Sequence, residues 1–441
     1  MCGIVGVWNA RKAAELTVVG LHGNQHRARD FAGVVSTDGE NMYRQCGEGL
    51  ARVVFTEKML HYLHGKSALG HIRYPTVADD PRRDNIQPIL GLYKETPFAI
   101  AHNGNLTNLD ELREIIPKRK LTTSLDSEFI VRLLEHFCTG DIVADLKKVF
   151  GLIKGSCTIA LLLPNELIAV RDKSGNRPLS IGQRGESFFI SSETVALTSM
   201  GAEFLFDVPA GGMVRISSSG YRLISLAEPE EKKCPFEWIY FSSPNSLVYG
   251  VDVAEWRFEM GQRIEKMFPV EGADLVVAIP DSANFYALGY AASGRSGKYM
   301  PPILRHHDVG RSFIAADQAE RDEIVGNKHV YAAHRVKGKR LVLIDDSIVR
   351  GTTIRKVVAV LWELGAREIH LRIPSPPITH PCRYGVATHS EKELIASKMS
   401  QEEIGKTIGV SSIKFISVPE LKRSVGNASK WCFACMDGKY W

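Results

Sequence analysis

"RLVLIDDSIVRGTTIRK", residues 340–356, decides how the second half of this chain folds. An apolar strand, Leu341 to Ile344, ends in two acids, Asp345 and Asp346. A Ser/Gly/Thr loop follows, then a helix expected over 353–364. Backbone N–H groups converging at a helix N-terminus offer an anion site. Ser347, Thr352 and Thr353 add hydroxyl donors, and Gly351 lets the backbone come close. The acids suit sugar hydroxyls or a Mg²⁺ that bridges phosphate oxygens. A Gly/Thr loop alone reads equally as a capped turn; the paired acids at the strand end tip the reading toward phosphate. Working outward, "DLVVAIP" (274–280) and "EIHLRIP" (368–374) are further continuous apolar strands, with a helix expected over 282–293. Such strands separated by helices indicate a parallel sheet covered on both faces.

The first half differs. Residues 1 to about 228 carry short runs such as "GIVGVW", "AGVVST", "SALGHIR", "PFAIAHNG", "CTIALLL", "SFFISSE" and "MVRI". Among them "DSEFIVRLLEHFC" (126–138) reads as a helix, with Phe129, Leu133 and Phe137 on one face and Asp126 placed to cap its start. This mixture predicts an α+β domain with mainly antiparallel sheets. The charged stretch "AEPEEKKCP", 227–235, is the expected linker. The domains are therefore set at 2–228 and 229–441.

Composition is that of a soluble globular protein: 44% hydrophobic, 24% charged, with a net charge of +5 over 441 residues. This small charge does not by itself suggest nucleic acid, and it suits an anionic small substrate. No apolar run is long enough to span a bilayer, and residues 1–8 lack a basic leader. A cytoplasmic location is expected, without membrane or nucleic-acid partners. Eight cysteines in that compartment favour metal ligation or catalysis over disulfides.

"LIDDSIVRGTT" resembles the 5-phosphoribosyl-1-pyrophosphate (PRPP) signature of type I phosphoribosyltransferases, in the form found in glutamine PRPP amidotransferases. The resemblance implies that Asp345 and Asp346 engage the ribose hydroxyls and hold Mg²⁺. It gives the 5-phosphate to the loop Ser347–Thr353, which includes Arg350, Gly351 and Thr352. "AIPDSANFYALGYA", 278–291, is similar to the family's pyrophosphate-side loop, with Asp281 and Ser282 at its turn.

The opening "MCGIVGV" resembles the start of class II glutamine amidotransferases, which are N-terminal-nucleophile (Ntn) hydrolases. Removal of Met1 leaves Cys2 first. Its α-amino group, with an ordinary pKa of about 7.7–8.0, can then act as base for its own thiol. A tetrahedral intermediate needs oxyanion donors. "AHNGNLTN", 101–108, supplies Asn103 and Gly104, the pair this family uses. Arg73 in "GHIRYPT" matches the family's contact to the glutamine carboxylate, and Asp126 in "TTSLDSE" its contact to the α-ammonium. "RDKSGNRPL", 171–179, resembles a further family marker, in which no catalytic role falls to Arg177.

"CFAC" at 432–435 is a Cys-x-x-Cys pair. Four cysteines suit structural zinc or iron–sulfur equally on their chemistry. Cys234, Cys382, Cys432 and Cys435 match the subset of the family that carries a [4Fe–4S] cluster, which favours iron–sulfur over zinc and implies a staple for the tail and the linker. Cys46, Cys138 and Cys157 read as small core residues.

Where the family reads "QHRGQ" this chain has "QHRAR", Gln25 to Arg29, and Leu125 is an addition to its "TSDSE". "RHHDVGRSF" (305–313) and "AERDEIVGNK" (319–328) depart further: Lys328 is retained, but an arginine of the basic stretch is missing. The expected architecture is an αββα Ntn hydrolase sandwich followed by an α/β phosphoribosyltransferase domain. The implied activity is glutamine-dependent amination of PRPP to phosphoribosylamine, the first step of purine synthesis. The implied partners are glutamine, PRPP, nucleotide feedback inhibitors and further copies of the chain. The alternatives are a paralogue that aminates another phosphorylated sugar or acceptor, and a non-catalytic PRPP-binding regulator. Asparagine synthetase and glucosamine-phosphate synthase share the amino-terminal pattern, but residues 341–353 argue against both.

Overall fold

Two antiparallel sheets stack face to face in the first half. A computed structural model describes residues 1–74, 85–117, 120–305, 329–388 and 390–441. Among these, seven strands form one sheet in the order 203–207, 180–184, 187–191, 3–8, 67–73, 31–37 and 42–48. Six form the other, in the order 220–225, 212–217, 166–171, 155–163, 96–106 and 89–93. Every strand pair in both sheets is antiparallel. Ile4, Leu69, Ala101, Ala160, Leu167 and Ile190 meet in the dry layer between them. The helices Ala13–Gly23 and Asp126–His136 cover the outer faces, packing Leu21 and Val18 on one side and Phe129 and Leu133 on the other. Helix, sheet, sheet, helix is the expected sandwich.

The helix at 126 has a different start from the expected one. Its N-cap is Leu125, with no side-chain cap, and Asp126 is already inside the first turn. The carboxylate is engaged elsewhere: Oδ2 accepts from the Leu106 N–H at 2.9 Å. The additional Leu125 is buried in the core.

In the second half, the strands Lys298–Tyr299, Leu275–Ala278, Arg340–Ile344, Glu368–Ile373 and Ser412–Phe415 make a parallel sheet in that order. Their near-continuous burial matches the apolar runs in the sequence. Helices Val253–Met267 and Asn284–Ala291 cover one face, Thr352–Glu363 and Gln401–Ile408 the other. The stretch expected as a linker is tied to both halves. Glu230 N–H and Lys232 N–H bond the carbonyls of Lys173 and Ser174, and Lys233 pairs with Trp431 of the tail.

Candidate active site

The strand Gly3–Trp8 is antiparallel to Ser67–Arg73, with Gly3 opposite Ile72 and Ile4 opposite His71. That register, continued by one residue, sets Cys2 beside Arg73. His71 Nε2 donates 3.0 Å across the sandwich to the His102 carbonyl, so Asn103 and Gly104 come from the facing sheet to the same end. Asp126 joins them through its bond to Leu106. The fold thus gathers Cys2, Arg73, Asn103, Gly104 and Asp126 from four separate segments. Arg73 is buried, and its Nη1 donates to the Asn85 carbonyl at 2.8 Å.

Asn103 is 2% exposed, and its Nδ2 has no hydrogen-bond partner among the described residues. A buried donor left open costs about 1–3 kcal/mol. Gly104 has no room for a side chain: a Cβ there would lie 2.0 Å from the Ser156 carbonyl oxygen. The positions around it are braced by hydrogen bonds. His102 N–H donates to Gln87 Oε1 at 2.6 Å, and its Nδ1 meets Ser127 Oγ at 2.8 Å. The amine of Met1, beside Cys2, has its pKa lowered to about 6, chiefly by burial.

Behind Cys2 lies a charge network that the sequence reading did not anticipate. Arg27 Nε holds the Cys2 carbonyl at 2.8 Å. Its other nitrogens pair with Glu193 at 2.5 Å and with Glu237 at 2.9 and 3.0 Å. Arg177 reaches Glu237 at 3.3 Å and the Tyr384 carbonyl at 2.6 Å. All four side chains are fully buried. Burial opposes the charges on Glu193 and Glu237, yet both carboxyls are held below the usual range, Glu193 by His26 and Arg27 and Glu237 by Arg27 and Arg177. Arg27 lies inside "QHRAR" and Arg177 inside "RDKSGNRPL", so the signal was present in both quoted motifs; Glu237 carried none.

At the second site, Asp345 and Asp346 end the strand Arg340–Ile344, and Gly351 caps the helix Thr352–Glu363. Ser282 Oγ donates to Asp346 Oδ1 at 2.6 Å, and Ser347 Oγ to Oδ2 at 2.5 Å. The bond from Ser282 joins the two loops that the sequence assigned to one ligand. Burial and mutual repulsion push the Asp345 carboxyl well up; burial also raises Asp346, against the pull of its two serines. Such a pair favours a cation or hydroxyl donors between its members. Asp281 is paired with Arg305 at 2.8 Å, while Arg350 turns to Glu393 at the surface. Thr352 and Thr353 are exposed. Lys328 and the departures at 306–328 lie outside the described residues. Burial raises the Tyr240 hydroxyl, and Asp346, Asp345 and Tyr74 push it in the same direction.

Cys234, Cys382, Cys432 and Cys435 come from three segments, and all four are free thiols. Burial raises Cys234 to about 12 and Cys435 well above its ordinary value, and the neighbouring cysteines push each further in the same direction. Among the described residues, no three His, Cys, Asp or Glu side chains are set as ligands of one ion.

A family model described as a glutamine amidotransferase domain matches residues 73–199. The structure of glutamine PRPP amidotransferase from B. subtilis, complexed with ADP and GMP, superposes with a TM-score of 0.92 at 37% identity, covering 100% of this chain and 97% of that one. A second structure, described as the allosteric regulatory enzyme of purine biosynthesis, gives 0.93 at 37%, over 100% and 96%. Fold and site together define an Ntn-type glutamine amidotransferase joined to a type I phosphoribosyltransferase domain. The amidophosphoribosyltransferases of Bacillus subtilis and Archaeoglobus fulgidus are each 38% identical over all of this chain and over 94% and 98% of their own lengths. The chain belongs to the amidophosphoribosyltransferase family, and its activity is glutamine-dependent amidotransfer to PRPP.

Proposed function

We propose that glutamine is opened at Cys2 and that the released ammonia is used at Asp345 and Asp346. After Met1 is removed, the Cys2 α-amine takes the thiol proton and Sγ attacks the side-chain amide carbon. The proton passes to the leaving nitrogen, ammonia departs, and water hydrolyses the thioester to glutamate. Asn103 Nδ2 and the Gly104 N–H receive the oxyanion, where one such donor is worth about 10²–10³ in rate. Arg73 and Asp126 hold the substrate's carboxylate and ammonium. The open Nδ2 of buried Asn103, on the same end of the sandwich as Cys2, carries this reading. With an ordinary pKa of about 7.7–8.0, a terminal amine on Cys2 is partly a free base near neutral pH, which suits it to this role.

At the second site ammonia displaces pyrophosphate from the anomeric carbon of PRPP. Asp345 and Asp346 take the ribose hydroxyls, residues 347–353 the 5-phosphate, and Asp281 and Ser282 the pyrophosphate side. Mg²⁺, when bound by the two acids, neutralises pyrophosphate charge. Little acid–base chemistry is required of this half; it positions and neutralises. An enclosed path between the two sites would keep ammonia from protonation in water.

The sulfur-only donor set of Cys234, Cys382, Cys432 and Cys435 is of the type a [4Fe–4S] cluster takes, and a cluster there would staple the tail and the linker to the α/β domain. Nucleotide feedback inhibitors are part of the proposal, since the B. subtilis relative is described in complex with ADP and GMP. The test uses anaerobically purified protein and follows pyrophosphate release from PRPP with glutamine and, separately, with ammonia. Both should support turnover, and Cys2→Ala should abolish only the first. Turnover with neither would overturn the proposal.

A further inference from the structure

The oxyanion strand is touched by the second domain. Asn105 Nδ2 donates to the Arg383 carbonyl at 2.9 Å. Two residues on, Gly385 lies against the Gly104 peptide: a Cβ on Gly385 would stand 2.9 Å from the Gly104 carbonyl oxygen, 3.0 Å from its carbon and 3.3 Å from its Cα. Gly385 also has φ +104°, where a side chain is strained. Gly104 is thus clamped, with Ser156 on one side and Gly385 on the other.

The clamping loop is itself held tightly. Tyr384 N–H donates to Cys382 Sγ at 3.3 Å, and the Tyr384 carbonyl accepts from buried Arg177 at 2.6 Å. The Tyr384 ring stacks on Trp441 at 4.2 Å, and its hydroxyl bonds the Trp441 carbonyl at 2.7 Å. Just upstream, Thr379 and His380 N–H both donate to the Cys435 carbonyl, at 3.0 and 3.1 Å. Two of the four clustered cysteines therefore anchor the loop that bears on Gly104.

We propose that Gly385 is a positioning residue for glutamine hydrolysis: the Cys382–Gly385 loop bears on the Gly104 carbonyl and Cα and so sets the adjoining Gly104 N–H at the oxyanion. This rests on the assignment of Asn103 and Gly104 as oxyanion donors. Cys382 and Cys435 then act on the glutaminase mechanically, by fixing one end of this loop. A displacement of about 1 Å at such a donor costs on the order of 100-fold in rate.

The experiment compares wild type, Gly385→Ala and Asn105→Ala, each full length and purified anaerobically. For Gly385→Ala, kcat for glutamine hydrolysis should fall about 100-fold, with KM for glutamine within about twofold. Ammonia-dependent pyrophosphate release, iron content and visible absorbance per chain should hold. Asn105→Ala removes one tether without adding volume and should lower kcat by about 10-fold at unchanged KM. It decides the matter if Gly385→Ala does not fold. An unchanged glutaminase kcat in the folded variants, or a loss confined to KM, would overturn the proposal. A wild type that hydrolyses no glutamine would overturn the glutaminase reading beneath it, which is a distinguishable result.

Discussion

Arg27 and Glu237 form a two-pronged ion pair between the domains, at 2.9 and 3.0 Å, with both side chains out of contact with water. Glu237 belongs to the segment Glu237–Phe241 beyond the linker, yet it braces the arginine that holds the Cys2 carbonyl. Removing one partner of such a pair leaves a charge buried without its counterion. Glu237→Ala should destabilise the protein by about 3–5 kcal/mol, because Arg27 and Arg177 both lose their shared carboxylate. Glu237→Gln keeps the shape and should cost less. Denaturant unfolding of the two variants beside wild type checks the order; equal stabilities would show that the pair carries no net energy.

Asn103→Ala removes the open amide without touching Cys2. Glutamine kcat should fall by about 10²–10³, because an oxyanion donor acts in the transition state rather than in substrate binding. KM for glutamine should move little, and ammonia-dependent turnover should persist. Steady-state kinetics with both nitrogen donors reads the split, and a rise in KM alone would place Asn103 in substrate binding instead.

Asp346 joins the loop after Ala278 to the loop after Ile344, through Ser282 at 2.6 Å and Ser347 at 2.5 Å. Asp346→Asn should impair PRPP turnover with glutamine and with ammonia alike, by at least about 10-fold, since a charge-assisted contact is worth about 1.5–3 kcal/mol. Glutamine hydrolysis measured without PRPP should be unaffected. Pyrophosphate release and glutamate formation, measured side by side, separate the two; a loss of glutamate formation without PRPP would mean that the residue acts on both domains.

Much of this architecture was legible beforehand. Alternating runs such as "SALGHIR" coincide with the observed strand Ser67–Arg73, and "RLVLI" with Arg340–Ile344, because burial on one or both faces writes itself into the residue pattern. Cys2, Arg73, Asn103 and Asp126 were proposed from their resemblance to the family's motifs, and each has a chemical type that suits the task proposed for it. The contacts between domains could not. Glu237 looks like an ordinary acid in "FEWIYF", and only the three-dimensional meeting with Arg27 and Arg177 makes it the centre of a buried network. The misplaced cap has the same origin: Asp126 suits an N-cap by type, but Leu106, 20 residues upstream, takes its carboxylate.

His71 makes the site sensitive to acid. It is fully buried between the sheets, and its pKa is pushed down from 6.5 to about 3, first by burial and then by Arg73, His102 and the amino terminus. The bond to the His102 carbonyl pulls the other way without prevailing. The folded protein therefore keeps His71 neutral, whereas the unfolded chain binds a proton near pH 6.5. The sign follows from linkage: stability from this residue is present above about 6.5 and is lost as pH falls toward 3, at up to about 1.4 kcal/mol per pH unit. Because His71 braces the strand that carries Asn103, local loosening there should lower glutaminase activity before global unfolding. Urea unfolding of wild type and His71→Gln between pH 4.5 and 6.5 isolates the effect: the wild-type curve should fall more steeply with acid. Parallel curves would show that His71 already carries its proton in the folded protein.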